Sequence, residues 1–106
     1  MSYRYMRMIV FFDLPVTSDA EKKTYRQFHT FLIKNGFLML QNSVYTKIVL
    51  NASVLNSVRE IIYKNVPKSG NICMLNITEK QFAGMEFLAG AKKSDVIDSD
   101  NRLVEL

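Results

Sequence analysis

The chain has 106 residues, of which 48% are apolar and 23% charged, and its formal net charge is +4. This length and composition are typical of one globular domain. The apolar run from Met8 to Phe12 is much shorter than the roughly 20 residues that a membrane-spanning helix needs, which excludes a span there. We expect a cytoplasmic protein with no membrane partner.

The positive charge is concentrated in the middle of the chain. Between Lys22 and Lys68 there are eight basic residues and one acidic residue, Glu60. The last thirteen residues instead hold four acids and one base, and form an acidic tail. Because a basic body attracts polyanions, nucleic acid is a candidate partner. The acidic tail either docks a basic protein or stays solvated.

The first predicted strand runs from Arg7 to Asp13 and has apolar side chains on both faces. Ile9 and Phe11 lie on one face, and the other face carries Met8, Val10 and Phe12. A strand of this kind is typical of the centre of a sheet that is covered on both sides. Pro15 ends it, because proline has no backbone donor for the sheet.

Asp13 stands at the end of this strand, on the face of Ile9 and Phe11. A carboxylate in this position is a candidate Mg²⁺ ligand, although an aspartate that hydrogen-bonds nearby backbone donors in a turn is equally consistent with the pattern. One carboxylate does not hold Mg²⁺ alone, because the ion requires six oxygen ligands. A metal site here therefore depends on a second Asp13, supplied by another copy of the chain.

A capping-box pattern from Ser18 to Glu21 predicts a helix that begins near Asp19 and ends near Asn35, before Gly36. Its predicted buried stripe consists of Tyr25, Phe28, Phe31 and Leu32. The opposite side forms a positive ridge, since the helical period of about 100° per residue places there Lys22, Arg26 and Lys34. Solvation of an exposed helix face is the alternative explanation of these charges.

Two further residues have chemistry of their own. His29, on the same helix, is a candidate for proton transfer, but a lone helical histidine is more often a bystander. Cys73 is the single cysteine and lies in an apolar run, so we expect it in the core. The sequence contains no Cys/His cluster, serine nucleophile arrangement or glycine-rich phosphate loop, which excludes the common nucleotide-binding and hydrolase motifs.

Two strands are predicted next, over residues 37–40 and 44–50, around a tight reversal at residues 41–43. A second helix follows, capped by Asn51 or Ser53 and closed by Pro67 and Gly70. Its predicted apolar stripe consists of Val54, Leu55, Val58, Ile61 and Ile62.

A fourth strand, predicted over residues 71–78, has apolar side chains on both faces, so we expect it to be covered on both sides as well. The capping-box spacing from Thr78 to Gln81 then predicts a short helical turn.

The order strand, helix, strand, strand, helix, strand predicts an α+β, ferredoxin-like βαββαβ domain over residues 1–90. Residues 91–106 form the acidic tail, in which Leu103 and Val104 are predicted to form an additional C-terminal edge strand. Because both helices cover the same side of the sheet, the apolar residues of the other side need a cover. A second copy of the chain is the simplest one, and we expect a two-fold dimer to which the tail contributes.

Three motifs resemble a known family. They are the segment from Met6 to Pro15, the segment from Gln41 to Tyr45 that follows Gly36, and the segment from Thr78 to Phe82. Together they are similar to the small CRISPR-associated adaptation protein, the non-integrase partner in spacer acquisition, in the variant of single-effector systems. The resemblance covers about residues 6–90.

The resemblance implies a ferredoxin-like homodimer that lies between integrase dimers and spans double-stranded prespacer DNA. Members of the family are also described as metal-dependent endonucleases of single-stranded RNA or duplex DNA, with Mg²⁺ held by the residue that matches Asp13 in both chains. We favour the scaffold, because the sequence offers no evident second acid or general base near Asp13. The residues that we expect to contact DNA are Lys22, Lys23, Arg26 and Lys34, followed by Arg59 and Lys64.

Two further functions are compatible with the fold. A gene for a small antitoxin beside this one would favour a free-standing RNA-cleaving toxin. A ligand-sensing regulatory domain would require a small-molecule pocket, which the sequence does not identify.

Overall fold

Seven helices and strands follow one another in the order that the sequence predicts. The computed structural model describes residues 5–89. The elements are β1 (Met6–Asp13), α1 (Asp19–Lys34), β2 (Leu38–Gln41), β3 (Val44–Val49), α2 (Ala52–Lys64), β4 (Asn71–Thr78) and α3 (Glu79–Ala83). The edge strand predicted at Leu103 and Val104, like the boundary between the domain and the acidic tail, lies outside the described residues.

The four strands form one antiparallel sheet in the order β2-β3-β1-β4. This order confirms the ferredoxin-like α+β fold. It also confirms β1 as a central strand, because β1 pairs with β3 on one side and with β4 on the other. β2 and β4 are the edge strands. β1 and β4 run antiparallel, so the end of β1 lies beside the start of β4.

The core lies between the sheet and the helices α1 and α2. On β1, alternation sends Met8, Val10 and Phe12 to this side, where all three are buried. Phe12 is the centre of an aromatic group, since its ring packs against Tyr25, Phe28 and Tyr45. The predicted stripe of α1 is confirmed: Phe28 and Leu32 are buried, and Tyr25 and Phe31 pack against the core.

The apolar stripe of α2 is narrower than the sequence predicts. Ile62 is buried and Leu55 and Val58 pack against the core, whereas Val54 and Ile61 are exposed. An amphipathic pattern shows which residues can be buried, but the width of the buried stripe depends on how closely the helix approaches the sheet. The cap is Asn51, whose side-chain oxygen accepts a 2.9 Å hydrogen bond from the Val54 backbone N–H.

The opposite face of the sheet, which we call the open face, is only partly covered: Ile9 and Thr46 are buried there, but several of their neighbours are not. Phe11 and Leu75 are 40% and 50% exposed, and Cys73 is also exposed. The predictions that Cys73 belongs to the core and that β4 is covered on both faces are therefore wrong for the single chain. β4 is an edge strand and neither long helix covers this side of the sheet, so an apolar sequence alone does not bury these residues.

One end of the open face is covered by α3. Arg7 of β1 donates two hydrogen bonds to the carboxylate of Glu79, of 2.7 and 3.0 Å. The same guanidinium lies 4.1 Å from the centre of the Phe82 ring. Thr78 and Gln81 form the predicted capping box that begins this helix. No helix in the described part of the chain is long and apolar enough to cross a membrane.

Candidate functional site

Asp13 is the last residue of β1 and is exposed. As the sequence predicts, alternation puts it on the face of Ile9 and Phe11, which is the open face. The antiparallel register places Asp13 directly opposite Asn71, the first residue of β4. Side chains of directly opposed residues project from the same face of a sheet, so Asp13 and Asn71 are neighbours there.

A groove of about 340 Å³ surrounds Asp13. Its other lining residues come from β1, from the turn between β2 and β3, and from β4: Phe11, Phe12, Asn42, Ser43, Val44, Asn71 and Cys73. Ser43 has a positive φ of 64°, and its carbonyl accepts a 3.0 Å hydrogen bond from the Phe12 backbone N–H. That bond holds the turn against the end of β1. The carboxylate of Asp13 thus shares the groove with neutral oxygen donors.

The start of β4 is closely packed against Asp13. Gly70 has a φ of +91°, and a Cβ placed on it would lie 2.8 Å from the Asp13 carbonyl oxygen and 2.5 Å from the side chain of Leu14. Glycine is therefore the residue that allows this approach, because any side chain would collide with the end of β1. The same contact fixes the position of the next residue, Asn71.

The residues around Asp13 fit Mg²⁺ only when further oxygen ligands come from elsewhere. Residues 5–89 contain no group of three or more His, Cys, Asp or Glu side chains that could hold a metal ion. However, Mg²⁺ commonly binds through one or two carboxylates together with water and substrate phosphates. Within residues 5–89 the salt bridge is that between Arg7 and Glu79. Asp13 therefore has no cationic side chain paired with it in this range.

The predicted cationic residues of α1 lie on its exposed side. Three of them, Lys23, Arg26 and Lys34, line one shallow groove of about 630 Å³ together with Gln27, Thr30 and Phe31. Lys22 is exposed one turn before Arg26. We call this surface the α1 groove. Gln27 and Thr30 were not singled out in the sequence, although their spacing on the helix places them between the cations.

The two predicted cations of α2 are not equivalent. Arg59 lines a different cleft, of about 310 Å³, between α2 and β4, so the structure does not bring it into the α1 groove. Lys64 lies in the last turn of α2. The next residue, Asn65, shares a small cleft with Gln27 of α1. The C-terminal end of α2 is therefore beside the α1 groove, whereas Arg59 is not.

His29 links α1 to the sheet. Its Nδ1 shares a 2.5 Å hydrogen bond with the hydroxyl of Tyr45 on β3, and the two rings meet edge to face. Burial raises the pKa of Tyr45, with a smaller contribution from the nearby Tyr25. One ring nitrogen of the half-buried His29 is thus occupied by a hydrogen bond to the sheet. It does not line the groove around Asp13.

Comparison with known proteins gives a consistent result. A family model described as CRISPR associated protein Cas2 matches residues 6–85. A protein named CRISPR-associated endoribonuclease Cas2 from Streptococcus mutans is 46% identical over 101 residues, which cover 95% of this chain and 93% of that protein. Proteins with the same name from Treponema denticola and Ligilactobacillus salivarius are 46% and 39% identical, each over 101 residues and over the full length of the relative.

Proposed function

The chain belongs to the Cas2 family of CRISPR-associated proteins, and we propose that it acts in CRISPR adaptation as a homodimeric scaffold for double-stranded prespacer DNA. In this role it bridges dimers of the CRISPR integrase, which joins the DNA strands. The observation that carries the proposal is the α1 groove, in which Lys23, Arg26 and Lys34 lie together on one exposed surface. Lys22 is exposed one turn before Arg26, and Lys64 stands next to Asn65, at the end of α2 that lies beside this surface.

The dimensions of the α1 groove suit a duplex. Lys23 and Lys34 are eleven residues apart on α1, which corresponds to about 17 Å along a helix axis. Double-stranded DNA carries one phosphate charge per roughly 1.7 Å of its axis, so several phosphates lie within reach of these side chains. Lysine and arginine contacts of this type position a protein on DNA without reading its sequence.

Charge reversal in the α1 groove tests the scaffold. We expect the double variant Lys23→Glu/Arg26→Glu to bind duplex DNA at least tenfold more weakly at moderate salt. The slope of log K against log salt should also become shallower by about 0.9 for each phosphate contact that is lost. Both quantities follow from fluorescence anisotropy titrations at several salt concentrations. Lys80→Glu on α3, which lies outside the α1 groove, is the matched control, and unchanged affinity of the double variant would reject the assignment.

A second function, metal-dependent cleavage of nucleic acid, is favoured by the groove around Asp13. The carboxylate there has no cationic partner within residues 5–89, and the relatives are named endoribonucleases. Asp13 from both copies in a dimer would hold the ion. Bound Mg²⁺ would offset charge on a phosphodiester and lower the pKa of a water molecule. We place this activity second, because the groove around Asp13 contains no second acid and no histidine within one chain.

The variant Asp13→Ala separates the two functions. It is compared with the wild type for Mg²⁺-dependent cleavage of single-stranded RNA and duplex DNA, and for spacer integration in the presence of the integrase. The scaffold proposal predicts that integration and complex assembly persist in this variant. Loss of integration from a complex that still assembles would reject a purely structural role, whereas intact integration would reject a catalytic role of Asp13 in adaptation.

A further inference from the structure

We propose that Asn71 is a second protein ligand of the divalent cation at Asp13, and that it binds the ion through its side-chain carbonyl oxygen. This inference rests on the second proposed function, in which Asp13 holds Mg²⁺. It assigns a role to a residue at the start of β4, 58 positions away from Asp13 in the sequence.

The first argument is placement. Asp13 and Asn71 are directly opposed in the antiparallel pairing of β1 and β4, an arrangement in which Cβ atoms lie roughly 4.5–5.5 Å apart. Both side chains are exposed and line the same groove. Gly70, directly before Asn71, is packed closely against the Asp13 backbone. Two oxygen donors are therefore held side by side on rigid strands.

The second argument is chemistry. Mg²⁺ prefers hard oxygen ligands, and an asparagine carbonyl adds one without adding charge. The other polar residues of the groove are less suitable. The Ser43 hydroxyl shares a 3.3 Å hydrogen bond with Tyr25, and the sulfur of Cys73 is a soft donor that Mg²⁺ disfavours. Asn42 lies in the turn between β2 and β3, outside any strand, so strand pairing does not place it beside Asp13. Asn71 is the neutral oxygen donor that pairing with β1 places directly beside Asp13.

Titration of the full chain with Mn²⁺ in the absence of nucleic acid tests the role of Asn71. Free Mn²⁺ is measured by electron paramagnetic resonance for the wild type, Asp13→Ala, Asn71→Ala and Asn71→Asp. Asp13→Ala should abolish specific binding, and Asn71→Ala should weaken it by at least about tenfold, because the loss even of a group that only supports a metal ligand commonly costs this much. Asn71→Asp should restore or tighten binding, because it returns an oxygen ligand with a charge.

The control is Asn56→Ala, which removes an exposed asparagine from α2, far along the chain from the Asp13 groove. It should bind Mn²⁺ like the wild type. Thermal unfolding without metal verifies that all variants fold. Equal Mn²⁺ affinity of Asn71→Ala, Asn56→Ala and the wild type would overturn the inference.

The outcomes separate the inference from the functions on which it rests. If Mn²⁺ binding requires Asp13 but not Asn71, only the role of Asn71 is rejected. If Mn²⁺ binding is independent of Asp13, the metal site and the proposed cleavage are rejected together. Duplex binding measured in EDTA depends on the α1 groove, so it should be the same for Asn71→Ala and the wild type in either case.

Discussion

Glu21 shows how a single side chain stabilises the beginning of a helix. Its Oε1 accepts hydrogen bonds from the Thr17 hydroxyl, the Thr17 backbone N–H and the Ser18 backbone N–H, at 2.7, 2.9 and 3.0 Å. Ser18 completes the capping box by accepting a 3.1 Å bond from the Glu21 backbone N–H. These bonds, that from the Thr17 hydroxyl above all, lower the pKa of Glu21 below its ordinary value of 4.5.

This lowered pKa predicts that the cap weakens in acid. Because the folded chain favours the ionised form, Glu21 contributes stability above about pH 4.5, and the contribution is lost as the pH falls through the lower pKa of the folded state. We expect the wild type to unfold at higher urea concentration than Glu21→Gln at neutral pH. The two should converge as the solution is acidified. A difference that is the same in neutral and acid solution would contradict this account.

Residue-level predictions from sequence were accurate where the cause is local. The capping box at Ser18 and Glu21 is visible because its partners are three positions apart. The burial of Cys73 was mispredicted for the opposite reason, since exposure of a strand residue depends on what packs over that face of the sheet. Asp13 was placed correctly on its strand and face, but its neighbour Asn71 belongs to another strand.

At the scale of elements, the contact between β1 and α3 could not be predicted from the sequence. Arg7 and Glu79 are 72 positions apart, yet Arg7 is bound to Glu79 at both carboxylate oxygens and lies over the ring of Phe82. The two charged side chains are only 14% and 28% exposed. A pair that is partly shielded from water in this way is stronger than an ion pair on the surface.

A double-mutant cycle measures this contact. With Arg7→Met and Glu79→Gln, we expect a coupling free energy of about 1–2 kcal/mol, between the values for exposed pairs and for charged hydrogen bonds. Amide hydrogen exchange should increase in α3 in either single variant, because the contact that holds α3 to β1 is lost. Lys80→Met on the same helix should change stability by less than about 0.5 kcal/mol. A coupling near zero would show that α3 is held by its apolar contacts alone.

The pairing of elements also explains which part of the candidate site was predictable. The order of strands and helices indicates a ferredoxin-like sheet, and in that sheet the end of β1 must lie beside the start of β4. The sequence therefore contained a weak signal for Asn71, which directly follows Gly70. The register that opposes it to Asp13 could not be deduced, because both strands have apolar residues on both faces and their patterns therefore do not select one register.

For the whole molecule, the open face predicts self-association. Phe11, Ile48 and Leu75 are each 40–50% exposed on this face, and contiguous apolar surface of this kind is typical of an interface. Two copies that stack on it would bury the apolar side chains and bring the two grooves around Asp13 together. In the two-fold dimer expected from the sequence, the proposed metal site would thus have two carboxylates.

Sedimentation velocity tests this assembly. We expect a dimer at micromolar concentration for the wild type, and a monomer for Ile48→Lys/Leu75→Lys. Burial of the exposed half of a large apolar side chain contributes roughly 0.7–1.5 kcal/mol, and a lysine charge buried in its place adds a further cost, so the two substitutions together should weaken the dimer at least about tenfold. Tyr63→Lys, which changes a side chain of α2 that is 78% exposed, should remain dimeric. A monomeric wild type would reject the dimer.

The same variants connect assembly to metal binding. Asp13 lies two positions beyond Phe11 on the open face, so a monomer presents a single carboxylate to the cation. If the two copies share the ion, Ile48→Lys/Leu75→Lys, which changes two residues outside the groove around Asp13, should lose Mn²⁺ affinity although Asp13 and Asn71 are unchanged. If each chain binds an ion alone, affinity should persist in the monomer. In that case the ion is held by Asp13 and Asn71 of one chain, and no second Asp13 is required.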